Sequence, residues 1–258
     1  MKDTALSRYA RTGIALVLLL PWCGVRAAGA PAWGYEVVAE HPHDPGAFTQ
    51  GLIVSDGALL ESTGQYGASD LRRVTPDTGQ VLQATPLSAT LFGEGLARVD
   101  DRLYQLTWKA GRCLVYDADD LSPVGELAYQ GEGWGLTSDG ERLYMSDGGP
   151  GIQVRDPTDF HLIERIAVTD AGRPVTRLNE LEWIQGLIWA NVWQETRIAV
   201  ISPEDGEVVA WLDLGDLAGR QGPGADVLNG IAYDPVGGRV LVTGKWWPRL
   251  YQIRPTLR

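Results

Sequence analysis

Glu94 stands between two glycines in the segment FGEGL, residues 92–96. Flanking glycines let backbones approach closely and add no packing of their own, so a carboxylate there is poorly explained as a structural group. A carboxyl held in apolar surroundings keeps its proton to higher pH and becomes a useful acid–base catalyst near neutrality. Trp108, Trp134, Trp193 and Trp246 are available to wall such a pocket, with Gln50, Asn179, Asn229 and Lys245 as polar groups and Glu180 and Asp147 as further acids. An apolar pocket with a few convergent polar groups is the usual form of a small-molecule site. Taken singly, each residue has a plainer role. A tryptophan packs between repeats, an amide at a turn caps backbone groups, and Lys245 can lay its stem over the two indoles that follow it. Only their convergence would point to chemistry, and convergence depends on the elements that carry them.

Those elements read as repeats. Helical periodicity is poor, and what recurs is a short apolar strand, a turn rich in Gly and Asp, and an alternating strand. Five similar starts appear: FTQGL (48–52), FGEGL (92–96), EGWGL (132–136), LNELE (178–182) and VLNGI (227–231), set 40 to 50 residues apart. That period in an all-β pattern predicts a five-bladed β-propeller with four strands per blade. The last unit supplies only three strands, at 231–233, 239–243 and 249–254, while residues 35–40 (YEVVAE) precede the first repeat unpaired. The N-terminal strand is therefore expected to complete the last blade and cover its open edge. In such a ring the residues just before each innermost strand meet at one mouth of the central channel, together with the loops between second and third strands. This brings Gln50, Glu94, Trp134, Asn179, Glu180 and Asn229 toward Trp108, Lys109, Asp147, Trp193, Gln194, Lys245 and Trp246.

Composition fits one large core: 258 residues, 44% apolar, with 32 glycines and 10 tryptophans. The formal charge of −11 and the lack of a dense basic run beyond the first residues argue against a nucleic-acid grip. Lys2, Arg8 and Arg11, then the apolar run 13–20 and small residues at 27–30, follow the order of a cleaved secretory signal. Residues 1–27 are read as that signal and 28–258 as a single catalytic domain, exported to the periplasm or beyond, with no membrane anchor and as a monomer. Only three histidines exist (His41, His43, His161), and the signal would remove Cys23 and leave Cys113 alone, so no zinc spacing is present.

FTQGL (48–52) and FGEGL (92–96), together with LTWK (106–109), LNELEWIQGLIWANVWQ (178–194), DVLNGIAYD (226–234) and VTGKWWPRLYQI (242–253), resemble the glutaminyl-peptide cyclotransferases of the plant-and-bacterial type. The resemblance spans roughly residues 35–254 and itself implies a five-bladed propeller. It also implies conversion of an N-terminal glutamine to pyroglutamate with release of ammonia. The implied pocket is Phe48, Gln50, Glu94, Trp108, Trp134, Asn179, Trp193 and Lys245. Trp246 departs from the family, whose members often carry leucine or a similar residue there.

Such a cyclisation needs no covalent nucleophile. Glu94 is expected to shuttle the proton from the attacking amine to the leaving nitrogen, and Lys245 to steady the oxyanion. Asn179 and Gln50 would hold the amide and the amine. Trp108, Trp134 and Trp193 would exclude water, with an indole N–H as a further donor to the substrate carbonyl. No catalytic cofactor is expected, although the acidic channel would suit a structural divalent cation. A calcium-dependent propeller lactonase, caging the ion with Glu94, Asn179, Asn229 and Asp147, is the main alternative, and a non-enzymatic sugar or peptide binder is the other.

Overall fold

The computed structural model describes residues 28–256. The proposed signal, residues 1–27, lies outside the described residues.

The chain is almost entirely β. Its first four-stranded sheet runs in sequence order through β2 (Thr49–Ser55), β3 (Ala58–Thr63), β4 (Asp70–Val74) and β5 (Val81–Pro86). The turn between β2 and β3 is Asp56-Gly57 with both φ angles positive, 52° and 80°. Asp-Gly adopts that geometry readily and its twist suits a hairpin. A second sheet repeats the plan with β6 (Gly93–Val99), β7 (Arg102–Thr107), β8 (Arg112–Asp117) and β9 (Pro123–Ala128). A third does so with β10 (Leu136–Ser138), β11 (Leu143–Ser146), β12 (Gly151–Arg155) and β13 (Leu162–Ala167).

After a short hairpin, β14 (Thr169–Asp170) and β15 (Arg173–Pro174), come β16 (Leu178–Ile184), β17 (Leu187–Val192), β18 (Arg197–Ile201) and β19 (Val208–Asp213). One helical turn, α1 (Gly215–Ala218), leads to β20 (Leu228–Asp234), β21 (Arg239–Gly244) and β22 (Arg249–Thr256). The N-terminal strand β1 (Ala32–Pro42) pairs antiparallel with β22 from Gly34 opposite Thr256 to Pro42 opposite Arg249. It also touches β19 in parallel through Ala32 and Trp33 alone, which joins the last two groups into an eight-stranded sheet. Without β1 both β19 and β22 would present unpaired edges.

Burial falls from first strand to last within a sheet: β2 is almost wholly buried and β5 mostly exposed. The first strands also close a cycle, β2 packing on β6 and β20, β6 on β10, β10 on β16, and β16 on β20. They approach so closely that a side chain would not fit at two points. A Cβ on Gly95 would lie 2.3 Å from the Leu136 nitrogen, and one on Gly135 1.9 Å from the Asn179 oxygen. The apolar core is a set of wedges between neighbouring sheets. Leu60, Leu71, Leu96 and Leu103 fill the first, and Trp189, Leu212, Ile231 and Trp247 fill the last.

Candidate active site

Four of the five inner strands carry a break in register at the residue that sequence reasoning singled out. The breaks fall between Thr49 and Gly51, Gly93 and Leu96, Leu178 and Leu181, and Leu228 and Ile231. Gln50, Glu94, Asn179 and Asn229 sit at these bulges. A bulge bends its strand and re-aims a side chain, so each sheet turns one polar group away from its own ladder. Phe48, Gln50, Glu94, Trp108, Trp134, Asn179, Trp193 and Lys245 all line one cavity of about 220 Å³, joined by Phe92 and Asp226. A larger concavity of about 620 Å³, lined by Asp139, Glu164, Arg165 and Glu204 among others, contains none of them. The smaller one carries the buried acid and the buried base, and it is the candidate site.

Glu94 is 4% exposed. Burial holds its carboxyl well above the usual carboxylate range; Lys245 pulls the other way and Glu132 adds to the rise. Its backbone is fixed by a buried relay in which Tyr116 donates to Gln105 Oε1 at 2.9 Å, Gln105 Nε2 donates to Ser62 Oγ at 2.7 Å, and Ser62 Oγ donates to the Glu94 carbonyl. Lys245, also 4% exposed, has its pKa lowered by burial, with Glu94 and Asp226 opposing that fall. Among the described residues no direct ion pair joins Lys245 to Glu94; the ammonium lies 4.7 Å from the Phe48 ring centroid. The loop after Lys245 is tied to β3 by His43, whose Nδ1 meets the Trp247 carbonyl at 2.6 Å and whose Nε2 meets Glu61 at 3.1 Å. Asn179 Oδ1 is buried without a hydrogen-bond partner. Gln50 Oε1 accepts from Asn229 Nδ2 at 3.1 Å.

The walls form a curved row of rings. Trp246 meets Phe48 edge-on at 4.8 Å, Phe48 meets Phe92 at 6.0 Å, and Phe92 meets Trp108 at 5.6 Å. Trp134 meets Trp193 edge-on at 5.6 Å. Trp246, where the sequence departs from the family, is 36% exposed at the rim rather than lining the cavity. The indole N–H groups of Trp108 and Trp134 both donate to Glu132 Oε2, at 2.8 and 3.0 Å. Neither is therefore free to donate to a substrate carbonyl, which corrects the expectation for these two indoles.

Several residues placed at the mouth by the repeat pattern lie elsewhere. Asp147 accepts from Gln153 Nε2 at 2.8 Å and faces Arg165 at 3.6 Å, away from the cavity. Asn229 does not line the cavity either, its Nδ2 donating to the Thr49 carbonyl at 2.9 Å, so the oxygen cage expected of a lactonase has two of its four members there. Lys109 lies outside, 3.8 Å over the Trp108 ring. Glu180 points across the inner strands, accepting from Ile231 N at 2.9 Å and Leu52 N at 3.3 Å. Phe92, Glu132 and Asp226 were missed. A signal existed for the first two, because Phe92 and Glu132 precede Glu94 and Trp134 by two residues, as Phe48 precedes Gln50.

Comparison with known proteins agrees with the site. Residues 14–255 match the family described as glutamine cyclotransferase. A glutaminyl-peptide cyclotransferase of Arabidopsis thaliana is 45% identical over 227 residues, covering 85% of this chain and 70% of the relative. The crystal structure of Myxococcus xanthus glutaminyl cyclase is similar with a TM-score of 0.83 at 37% identity, over 89% of this chain and 99% of that one. A family match over nearly the whole chain, a relative of this identity and the shared fold lead to one conclusion: the chain belongs to the glutamine cyclotransferase family.

Proposed function

We propose that this enzyme converts the N-terminal glutamine of peptides and proteins to pyroglutamate, releasing ammonia by metal-independent acid–base catalysis. The observation that carries the reading is the meeting of a buried carboxyl, a buried ammonium and an unpartnered amide oxygen inside an aromatic cavity of about 220 Å³. That volume lies below the roughly 300–1,000 Å³ of drug-sized sites and suits one terminal residue.

The neutral α-amine attacks the side-chain amide carbon, a C–N bond forms, and the amide nitrogen departs as ammonia. Holding the glutamine folded back on itself supplies much of the rate. Glu94 takes the proton from the attacking nitrogen and passes it to the leaving one. Its raised pKa favours that shuttle, which contributes on the order of 10²–10⁴-fold. Lys245 steadies the oxyanion in a site where burial strengthens its field. Asn179 Oδ1 is an acceptor for an N–H of the substrate, and Gln50, Phe48, Trp108, Trp134 and Trp193 shape the cavity around it. Metal-independence is supported by the lining, where only Glu94 and Asn179 of the four residues expected to cage calcium occur, and by Lys245, which would repel an ion placed beside Glu94.

The strand grouping supports a five-bladed propeller whose last blade β1 completes, because β1 contacts β19 through only two residues but follows β22 along most of its length. Residues 28–258 then act as one catalytic domain, a monomer exported by the 1–27 signal. Among the described residues no helix is long and apolar enough to cross a membrane.

The test is to incubate the protein with a Gln-initiated peptide and its Asn-initiated analogue, each with and without EDTA. Ammonia and the lactam should appear from the first alone, because Asn would have to close a four-membered ring, and EDTA should change nothing. Absence of ammonia from the Gln peptide contradicts the function, and loss of turnover with EDTA contradicts the metal-independent mechanism.

A further inference from the structure

Glu132 links two parts of the cavity wall that come from different sheets. Trp108 follows β7 in the second sheet, whereas Trp134 precedes β10 in the third. One carboxylate oxygen, Glu132 Oε2, accepts both indole N–H groups, at 2.8 and 3.0 Å. The other, Oε1, lies 3.7 Å from Lys109 Nζ, which itself stands 3.8 Å over the Trp108 ring. Each indole then touches a further wall member: Trp108 leans on Phe92 at 5.6 Å and 60°, and Trp134 meets Trp193 at 5.6 Å and 81°. Glu132 thus couples the Phe48–Phe92–Trp108 arc to the Trp134–Trp193 pair.

A structural explanation through core packing is poor. The Glu132 side chain is 41% exposed and does not line the cavity, so its removal opens no core void. Its two hydrogen bonds go to rings that do line it. A half-buried indole without a partner for its N–H is free to swing about its side-chain torsions, the outer of which is broad. An acceptor on that N–H fixes the ring plane, and a charged acceptor does so more firmly than a neutral one.

We propose that Glu132 is a positioning residue of the cyclase: one of its oxygens fixes the planes of Trp108 and Trp134, and with them the width of the slot in which the substrate glutamine folds. This rests on the cyclase reading above. Small displacements of reacting groups are costly; about 1 Å can lose on the order of 10²-fold.

The experiment compares E132A with E132Q. Glutamine keeps a carbonyl oxygen that can accept both indoles and discards only the charge; its amide nitrogen then faces Lys109, an exposed contact of small worth. Alanine removes the acceptor. Steady-state kinetics on a Gln-initiated peptide and the near-ultraviolet circular dichroism of the indole bands are measured for both, with a thermal melt to verify folding. E132A should lose kcat/KM by about 10- to 100-fold, chiefly in kcat, and show an altered indole band. E132Q should recover most of both. Equal impairment of the two variants, or an E132A indole band identical to wild type, overturns the proposal. If the wild-type protein proves inactive on Gln peptides, the cyclase reading fails, and the indole bands still decide whether Glu132 holds the two rings.

Discussion

At the residue scale the site is built from groups whose environment opposes their ordinary ionisation. Burial raises Glu94 and lowers Lys245, and each moderates the shift of the other. Such opposed tuning brings an acid and a base toward the same working pH. The consequence for Lys245 has a definite sign. Its charged form is lost as pH rises through a pKa below the ordinary 10.5, so the alkaline limb of kcat should fall below the usual lysine range. Lys245→Arg keeps the charge at all accessible pH. It should lower kcat through altered reach but displace that limb upward; an unmoved limb would mean that Lys245 is not the titrating group. Glu94 was legible because glycines isolate it in the sequence. The repeat spacing marks the position of Glu132 but not its role, because nothing in EGWGL tells whether its carboxylate faces water or two indoles from separate sheets.

At the element scale the inner strands do two jobs, packing against one another and turning one side chain outward at each bulge. The glycine after Glu94 serves the first job. Gly95→Ala would drive a methyl group into the Leu136 backbone, 2.3 Å away, and should cost about 1–3 kcal/mol of stability, read as a lower denaturant midpoint. Glu180 and Glu182 serve the same strands by accepting backbone N–H groups. Glu182 takes that of Tyr233 at 2.7 Å. Burial pushes its pKa from 4.5 up to about 8 and raises Glu180 as well. The folded state therefore holds protons that the unfolded chain gives up. The contribution of Glu182 is complete below about pH 4.5 and is lost as pH rises through about 8. Glu182→Gln should flatten the decline in melting temperature between those limits; an unchanged decline would refute this assignment. The strands and Asp-Gly turns were readable from alternation and turn chemistry. The bulges were not, since a one-residue register break leaves the apolar pattern of strands such as β6 nearly intact.

At the scale of the whole molecule, closure of the ring brings four bulges and three tryptophans to one mouth. The start of the chain covers the edges of β19 and β22. A protein beginning at residue 28 should fold and melt in one cooperative transition. One beginning at residue 43, lacking β1, should aggregate or lose its β circular dichroism, because two open edges remain. Soluble, fully cooperative folding of the shorter chain would show that β1 is dispensable. The overall plan was visible in the sequence because repeats force it: a unit that cannot bury its faces alone must stack on its neighbours. Which mouth residues actually enter the cavity was visible only in part. Asp147 satisfies the repeat pattern, yet Gln153 and Arg165 hold it elsewhere.

The most direct measurement sets ammonia release beside peptide binding for Glu94→Gln, a change that keeps shape and removes the ionisable proton. Turnover should fall by at least about 10²–10⁴-fold while affinity for the Gln-initiated peptide stays near that of the unaltered enzyme. Release of ammonia at an undiminished rate would contradict the account.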